Sequence, residues 1–190
     1  MTNQLRPALS FLLLFTVITG LLYPLLVTGI AQAALPDQAN GSLIRQAGQP
    51  IGSTLIGQPF ADPQSFWGRP SATGAFPYNA AASGGSNLGP TNPALLAAVQ
   101  ARVQALQAAD PTNTAPIPVD LVTASASGLD PHISVAAARY QVKRVAQTRG
   151  LPPEQILALV AQHTEGRQFG MLGEPRVNVL TLNLALAEIE

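Results

Sequence analysis

The chain has 190 residues, with ten Lys and Arg against ten Asp and Glu and no cysteine. That length suits one domain beside a targeting or membrane segment and leaves no room for a second large one. Zero net charge argues against binding nucleic acid by bulk attraction, and the missing thiols exclude disulfides, thiolate nucleophiles, cysteine zinc sites and lipidated cysteines.

Only 11 % of the residues are charged, against roughly 25 % in ordinary soluble domains, while 47 % are hydrophobic. No charge lies between Arg6 and Asp37, and the run from Ala8 to Leu35 is almost wholly apolar. As a helix it would extend roughly 42 Å, more than the roughly 30 Å of a bilayer core. Residues 1–35 are therefore expected to be a membrane anchor with a transmembrane helix over about 8–32. Pro24 lies inside it, where a kink near Tyr23 is expected. The competing reading is a cleaved signal peptide, since Ala31-Gln32-Ala33 has a small-x-small shape, but the run exceeds a signal h-region of about 7 to 15 residues. Arg6 and the amino terminus on one side, against Arg45 on the other, tilt the orientation toward a cytoplasmic N-terminus. Residues 36–190 are then an extracytoplasmic domain.

Residues 36–92 are dense in Gly, Pro, Asn, Ser and Gln, with short apolar clusters such as Ser53-Thr54-Leu55-Ile56-Gly57 and Phe60, and read as short strands joined by turns. Phe66-Trp67-Gly68-Arg69-Pro70-Ser71 sets the one tryptophan beside an arginine. Trp67 suits the core of a small domain, while Arg69 suits an aromatic face or a carboxylate. The glycine-rich stretch Ser83-Gly84-Gly85-Ser86-Asn87 has backbone amides of the kind that cradle anions, but it lacks the Lys-[Ser/Thr] ending and the preceding strand of a P-loop. It reads first as a constrained loop.

Asn92 before Pro93 is an N-cap with proline at the first helical position. Leu95, Leu96, Val99, Val103 and Leu106 then recur at helical spacing, which predicts an amphipathic helix over 93–109. Val119 to Ala124 is a short β-prone run. Ser127, Asp130 and His132 lie close together, yet no Gly-x-Ser-x-Gly elbow is present and Asp130 precedes a proline, as a turn or cap residue would. A helix is predicted from about Val135 to Arg149, capped by Asp130 or Ser134 and stopped at Gly150. Arg139, Lys143, Arg144 and Arg149 make it basic, which suits a solvated face or a docking face for an acidic partner. Pro152-Pro153-Glu154 opens another helix with Ile156, Leu157, Leu159 and Val160 as its stripe, ending near Thr164. From Arg176 to Ile189, Val177, Val179 and Thr181 alternate like a strand, while Leu180, Leu184 and Ala187 fit a helix after Asn178; the helix is favoured.

His132 and His163 lie far apart without a second ligand at metal spacing, so no metal site is expected. The carboxylates are scattered, and only Glu188 and Glu190 are near neighbours. The expected fold class is α+β: a single N-terminal transmembrane helix followed by one loop-rich mixed α/β soluble domain.

Arg6-Pro7-Ala8-Leu9, Asn40-Gly41-Ser42-Leu43-Ile44, Leu55-Ile56-Gly57-Gln58-Pro59-Phe60, Phe66 to Ala72, the Ser83-to-Asn87 loop, Leu121 to Pro131 and Gly173-Glu174-Pro175-Arg176-Val177-Asn178-Val179 together resemble the C subunit of the bacterial Kdp potassium-transporting ATPase. The resemblance runs from the anchor to the end of the chain. It implies a non-catalytic subunit of an inner-membrane complex. Its partners would be a channel-like potassium-binding subunit, a P-type ATPase subunit and a small single-span peptide, with ATP and potassium handled by the complex and no cofactor of its own. It further implies a catalytic chaperone that raises the ATP affinity of the ATPase subunit. An outward domain would do so only through coupling across the membrane subunits, and gating of the external potassium entrance is an added expectation. Ser83, Gly84, Gly85, Ser86, Asn87 and Gln141 are the residues expected to contact a partner or nucleotide. The alternative function is an anchored or secreted hydrolase using Ser127 and Asp130 with His132 or His163.

Overall fold

The computed structural model describes residues 2–189, so Glu190 lies outside the described residues. The chain divides into two units between Ser53 and Thr54.

The first unit is dominated by a helix whose apolar length passes the requirement for crossing a membrane, Leu5–Ala34, with a mean hydropathy of 2.2 and no buried residue. It consists of α1 (Leu5–Val17), a π-helical turn (Ile18–Leu22) and α2 (Tyr23–Ala34). Proline 24 explains the wide turn. Its nitrogen has no hydrogen to donate and its ring crowds the carbonyl four residues back. The register widens there, and the Tyr23 N–H reaches back five residues to the Ile18 carbonyl. Helical dihedrals continue through both junctions, so a π turn over 18–22 takes up the proline next to the expected site at Tyr23. Leu35, preceding Pro36, leaves the helical region, as a residue before proline tends to do. A single turn, α3 (Pro36–Ala39), follows. Strands β1 (Leu43–Gln46) and β2 (Gln49–Ser53) then pair antiparallel across Ala47-Gly48. Both loop residues have positive φ, 49° and 80°, the geometry that matches the twist of a two-residue hairpin.

The expectation of short strands joined by turns over 36–92 holds for β1 and β2 and is corrected in the second unit. Beyond Ser53 the segment is turns and extended coil with one bridge residue at Ile56 and a 3-10 turn at Ala80–Ala82, and Leu55 is exposed. α4 (Pro93–Ala109) is capped by Asn92, whose side chain accepts from the Ala94 N–H at 2.9 Å. Its stripe is narrower than expected, because only Leu106 is buried and Leu96 is exposed. Val119–Leu121 is a 3-10 turn rather than a strand. The reason is tertiary: Asp120 accepts the Ser134 N–H at 2.7 Å and lies 3.2 Å from its hydroxyl, which holds this segment across the start of the next helix.

Strands β3 (His132–Ser134), β4 (Thr164–Glu165) and β5 (Arg176–Asn178) form an antiparallel sheet in the order β3-β5-β4. Ser134 caps α5 (Val135–Arg149), accepting from Ala137 N–H at 3.0 Å, and Gly150 ends it at φ 68°. α6 (Pro153–Gln162) follows. Asn178 ends β5 and caps α7 (Val179–Ala187), accepting from the Leu180 and Thr181 N–H groups. The last segment thus contains both a strand, ending at Asn178, and the favoured helix after it. Phe66, Leu121, Ile133, Val145, Ile156, Val177, Leu182 and Leu186 form the dry centre of this unit.

Candidate functional site

The segment around the one tryptophan is threaded between α5 and α7, where side-chain amides take the place of a neighbouring strand. Asn183 accepts the Phe66 N–H at 2.8 Å and donates to the Phe66 carbonyl at 3.0 Å. Gln141 does the same for Trp67, at 2.7 and 3.0 Å. Buried backbone groups require partners, and a primary amide supplies a donor and an acceptor together. Gln141 is 1 % exposed; its nitrogen also donates to the Ala137 carbonyl, and its oxygen also accepts from Arg144 at 2.7 Å. Its hydrogen-bonding capacity is filled from within the fold.

Two arginines close over the Trp67 ring, Arg144 at 4.6 Å and Arg102 at 5.1 Å from its centroid. Each is also tied to backbone carbonyls: Arg144 to Pro63 and Ser65, Arg102 to Leu121 and Gly68. Burial lowers the Arg144 pKa to about 10, a fall opposed by Asp110 and Asp62 and reinforced by Arg102. Burial also lowers that of Arg102. The basic helix is therefore not one solvated face, because Arg144 is 3 % exposed. Desolvated guanidinium groups over an aromatic face gain more than exposed ones, which holds four chain segments at one residue.

Arg69 does not stack on its neighbour Trp67. It reaches Asp130 at 3.2 Å, and Asp130 in turn accepts the His132 N–H at 3.0 Å. The His132 ring lies between two acids, Nδ1 3.5 Å from Asp130 and Nε2 3.7 Å from Glu165, and Glu165 also holds Arg176 at 2.9 Å. Burial raises the Asp130 pKa, but the side-chain and backbone hydrogen bonds of His132 together with Arg69 outweigh it, and the net direction is down. This geometry is wrong for a serine triad. The Ser127 hydroxyl accepts from Leu129 N–H, and both imidazole nitrogens face carboxylates, so neither is directed at a nucleophile. Among the described residues no group of three or more His, Cys, Asp or Glu is placed to hold a metal.

The Ser83-to-Asn87 loop is stitched to the segment that carries Ser127. Gly84 N–H donates to the Ser127 carbonyl at 2.9 Å, and the Ser83 hydroxyl reaches the same oxygen at 3.0 Å. A Cβ on Gly85 would lie 2.9 Å from the Ala126 carbonyl oxygen, so close backbone approach explains the glycine. Ser86 lines an apolar groove of about 420 Å³ with Pro70, Leu88, Leu95 and Arg102. No hydrogen bond joins this loop to Gln141: one sits beside the Ser127 turn, the other beneath Trp67. Sequence reasoning missed Arg102 and Asn183. Each is a polar residue on an otherwise apolar helical stripe, and that pattern is a signal, because burial there demands a partner.

Fold and site together define a class: a chain with one membrane-length helix and an α+β domain whose interior polar groups hold its own architecture. Residues 5–188 match the KdpC family, described as K+-transporting ATPase, c chain. The chain is 66 % identical over 190 residues to the potassium-transporting ATPase KdpC subunit of Herpetosiphon aurantiacus, covering 100 % of this chain and 98 % of that one. It is 66 % identical to the same subunit of Variovorax paradoxus, over 98 % of this chain and 96 % of that one, and 62 % to that of Dechloromonas aromatica, over 100 % and 99 %. The chain belongs to the KdpC family.

Proposed function

We propose that this chain is a non-catalytic accessory subunit of a potassium-transporting P-type ATPase complex in the inner membrane. The observation that carries the reading is the helix Leu5–Ala34, uncharged from Pro7 onward and with no buried residue. Gly20 and Gly29 have nothing within 4 Å of a Cβ position, and small residues let membrane helices approach closely. The anchor docks against helices of the potassium-binding, ATPase and small single-span subunits. Arg6 and the amino terminus, set against Arg45, support a cytoplasmic N-terminus and an α+β domain outside, next to the external potassium entrance.

The chain supplies no reacting group and carries no cofactor. ATP is bound by the ATPase subunit, whose affinity this chain raises through a coupling free energy transmitted across the membrane subunits. Gln141 acts in this scheme as a clamp beneath Trp67, and the Ser83-to-Asn87 loop is the part of the predicted set left to meet a partner.

The test is a topology reporter fused to the C-terminus, with protease access measured in right-side-out cells. Protection of the domain from external protease would overturn the outward placement and revive direct contact with ATP.

A further inference from the structure

Between β4 and β5 the chain makes a hairpin finger, Gly166 to Gly173, closed by reciprocal backbone bonds of 2.9 Å between Gln168 and Leu172. Its tip exposes three large apolar side chains within four residues: Phe169 at 81 %, Met171 at 76 % and Leu172 at 59 %. Phe169 has φ 54°, a conformation that bulky L residues rarely adopt. The free chain therefore holds an aromatic ring outward in an unfavourable backbone geometry and gains no burial from it. Resting on the reading of this chain as a complex subunit, we propose that the finger is the domain's docking element, inserting Phe169 and Met171 into an uncharged apolar pocket of another protein subunit.

The charges around the finger select that occupant. Arg167 is held by both oxygens of Glu174 at 2.8 and 2.7 Å, and Arg176 by Glu165 at 2.9 Å. The base of the finger is thus a neutral collar of closed ion pairs. Unpaired Lys or Arg around an apolar face adds attraction to an anionic bilayer; here Arg167 and Arg176 are each engaged by a carboxylate. Protein interfaces are enriched in aromatic and Met residues at a charge-poor centre, and a few such anchors carry most of the binding energy. The cross-strand bonds and ion pairs hold the tip in shape before docking, which lowers the ordering cost of association.

The experiment expresses the full chain with the rest of its complex and measures its retention after detergent purification. Phe169→Ala combined with Met171→Ala is expected to reduce retention at least tenfold, while Leu55→Ala, at an apolar residue 61 % exposed outside the finger, leaves it unchanged. Melting of the purified full chain is expected to be the same with and without the double substitution. A photo-crosslinking p-benzoylphenylalanine introduced at position 169 should give an adduct with another subunit of the complex. Adducts only with lipid, or only with a second copy of this chain, would overturn the assignment. If the unsubstituted chain is not retained by the complex, the subunit reading falls and the finger assignment with it. If it is retained and the double variant is retained equally, the finger assignment alone fails.

Discussion

Replacing Gln141 with alanine should destabilise the domain more than most single substitutions. The change strips the Trp67 N–H and carbonyl of their partners at 2.7 and 3.0 Å in a site that is 1 % exposed. Each orphaned buried backbone group costs about 1–3 kcal/mol, and the vacated side-chain volume adds a cavity term. A loss of about 3–5 kcal/mol follows, out of a typical total of about 5–15 kcal/mol. At roughly 3–4 °C per kcal/mol for a domain of this size, Tm falls by about 10–20 °C. The assay is urea unfolding of the full chain in detergent, followed by the fluorescence of Trp67, the one tryptophan in the sequence. Gln141→Glu retains the acceptor for Trp67 N–H and Arg144 but loses the donor to the Trp67 carbonyl, so it should fall between wild type and alanine. A loss below about 1 kcal/mol at unchanged m would refute the clamp. So would an unchanged melt accompanied by weakened ATP binding in the assembled complex, which would make Gln141 a ligand contact.

Asn183→Ala removes the equivalent pair from Phe66 and should cost about 2–4 kcal/mol; combined with Gln141→Ala the loss should be less than the sum, because both hold adjacent residues of one segment. Simple additivity in urea melts would separate the two clamps. Gly128→Ala should cost at least about 2–3 kcal/mol, because at φ 67° its Cβ would lie 2.5 Å from Thr73 Cγ2 and 2.7 Å from the Gly84 carbonyl oxygen. Gly150→Ala, at φ 68° with nothing within 4 Å, should cost only about 1 kcal/mol in thermal melts. Asp130 has its folded pKa depressed below the ordinary 3.8, so its stabilising contribution is present above the unfolded value and is lost as pH falls through the folded one. Asp130→Asn should therefore flatten the loss of Tm between about pH 5 and pH 3; parallel acid limbs in the two proteins would reject this.

Local chemistry made much of this chain legible in advance. The membrane-length run, the Asn92-Pro93 start of α4 and the Gly150 end of α5 depend on residues within a few positions of one another, so period and capping reveal them, whereas the cap of α5 stayed open between Asp130 and Ser134 until the fold chose Ser134. The family strings were legible for the same reason, since a long unusual string is itself a local feature. Val119 to Ala124 shows where this stops. Its β-branched residues favour a strand, but Asp120 is engaged by the cap of α5 and the segment becomes a 3-10 turn. Arg69 takes the carboxylate of its two expected partners, yet no spacing named Asp130 as that carboxylate or foretold that the Trp67 ring would lie against Arg102 and Arg144.

The membrane-length helix, most helix boundaries and the family thus follow from the order of residues alone, because each rests on length, polarity or contacts of the chain with itself over one or two turns. The clamp beneath Trp67 required folding to be seen. Gln141 and Asn183 stand 74 and 117 residues from the backbone groups they satisfy, and only the packing of α5 and α7 around a buried strand-like segment decides that two amides become structural partners instead of surface contacts. The same packing turned Arg144 inward and left Phe169 out, which separates the residues that hold the domain together from those free to meet something else.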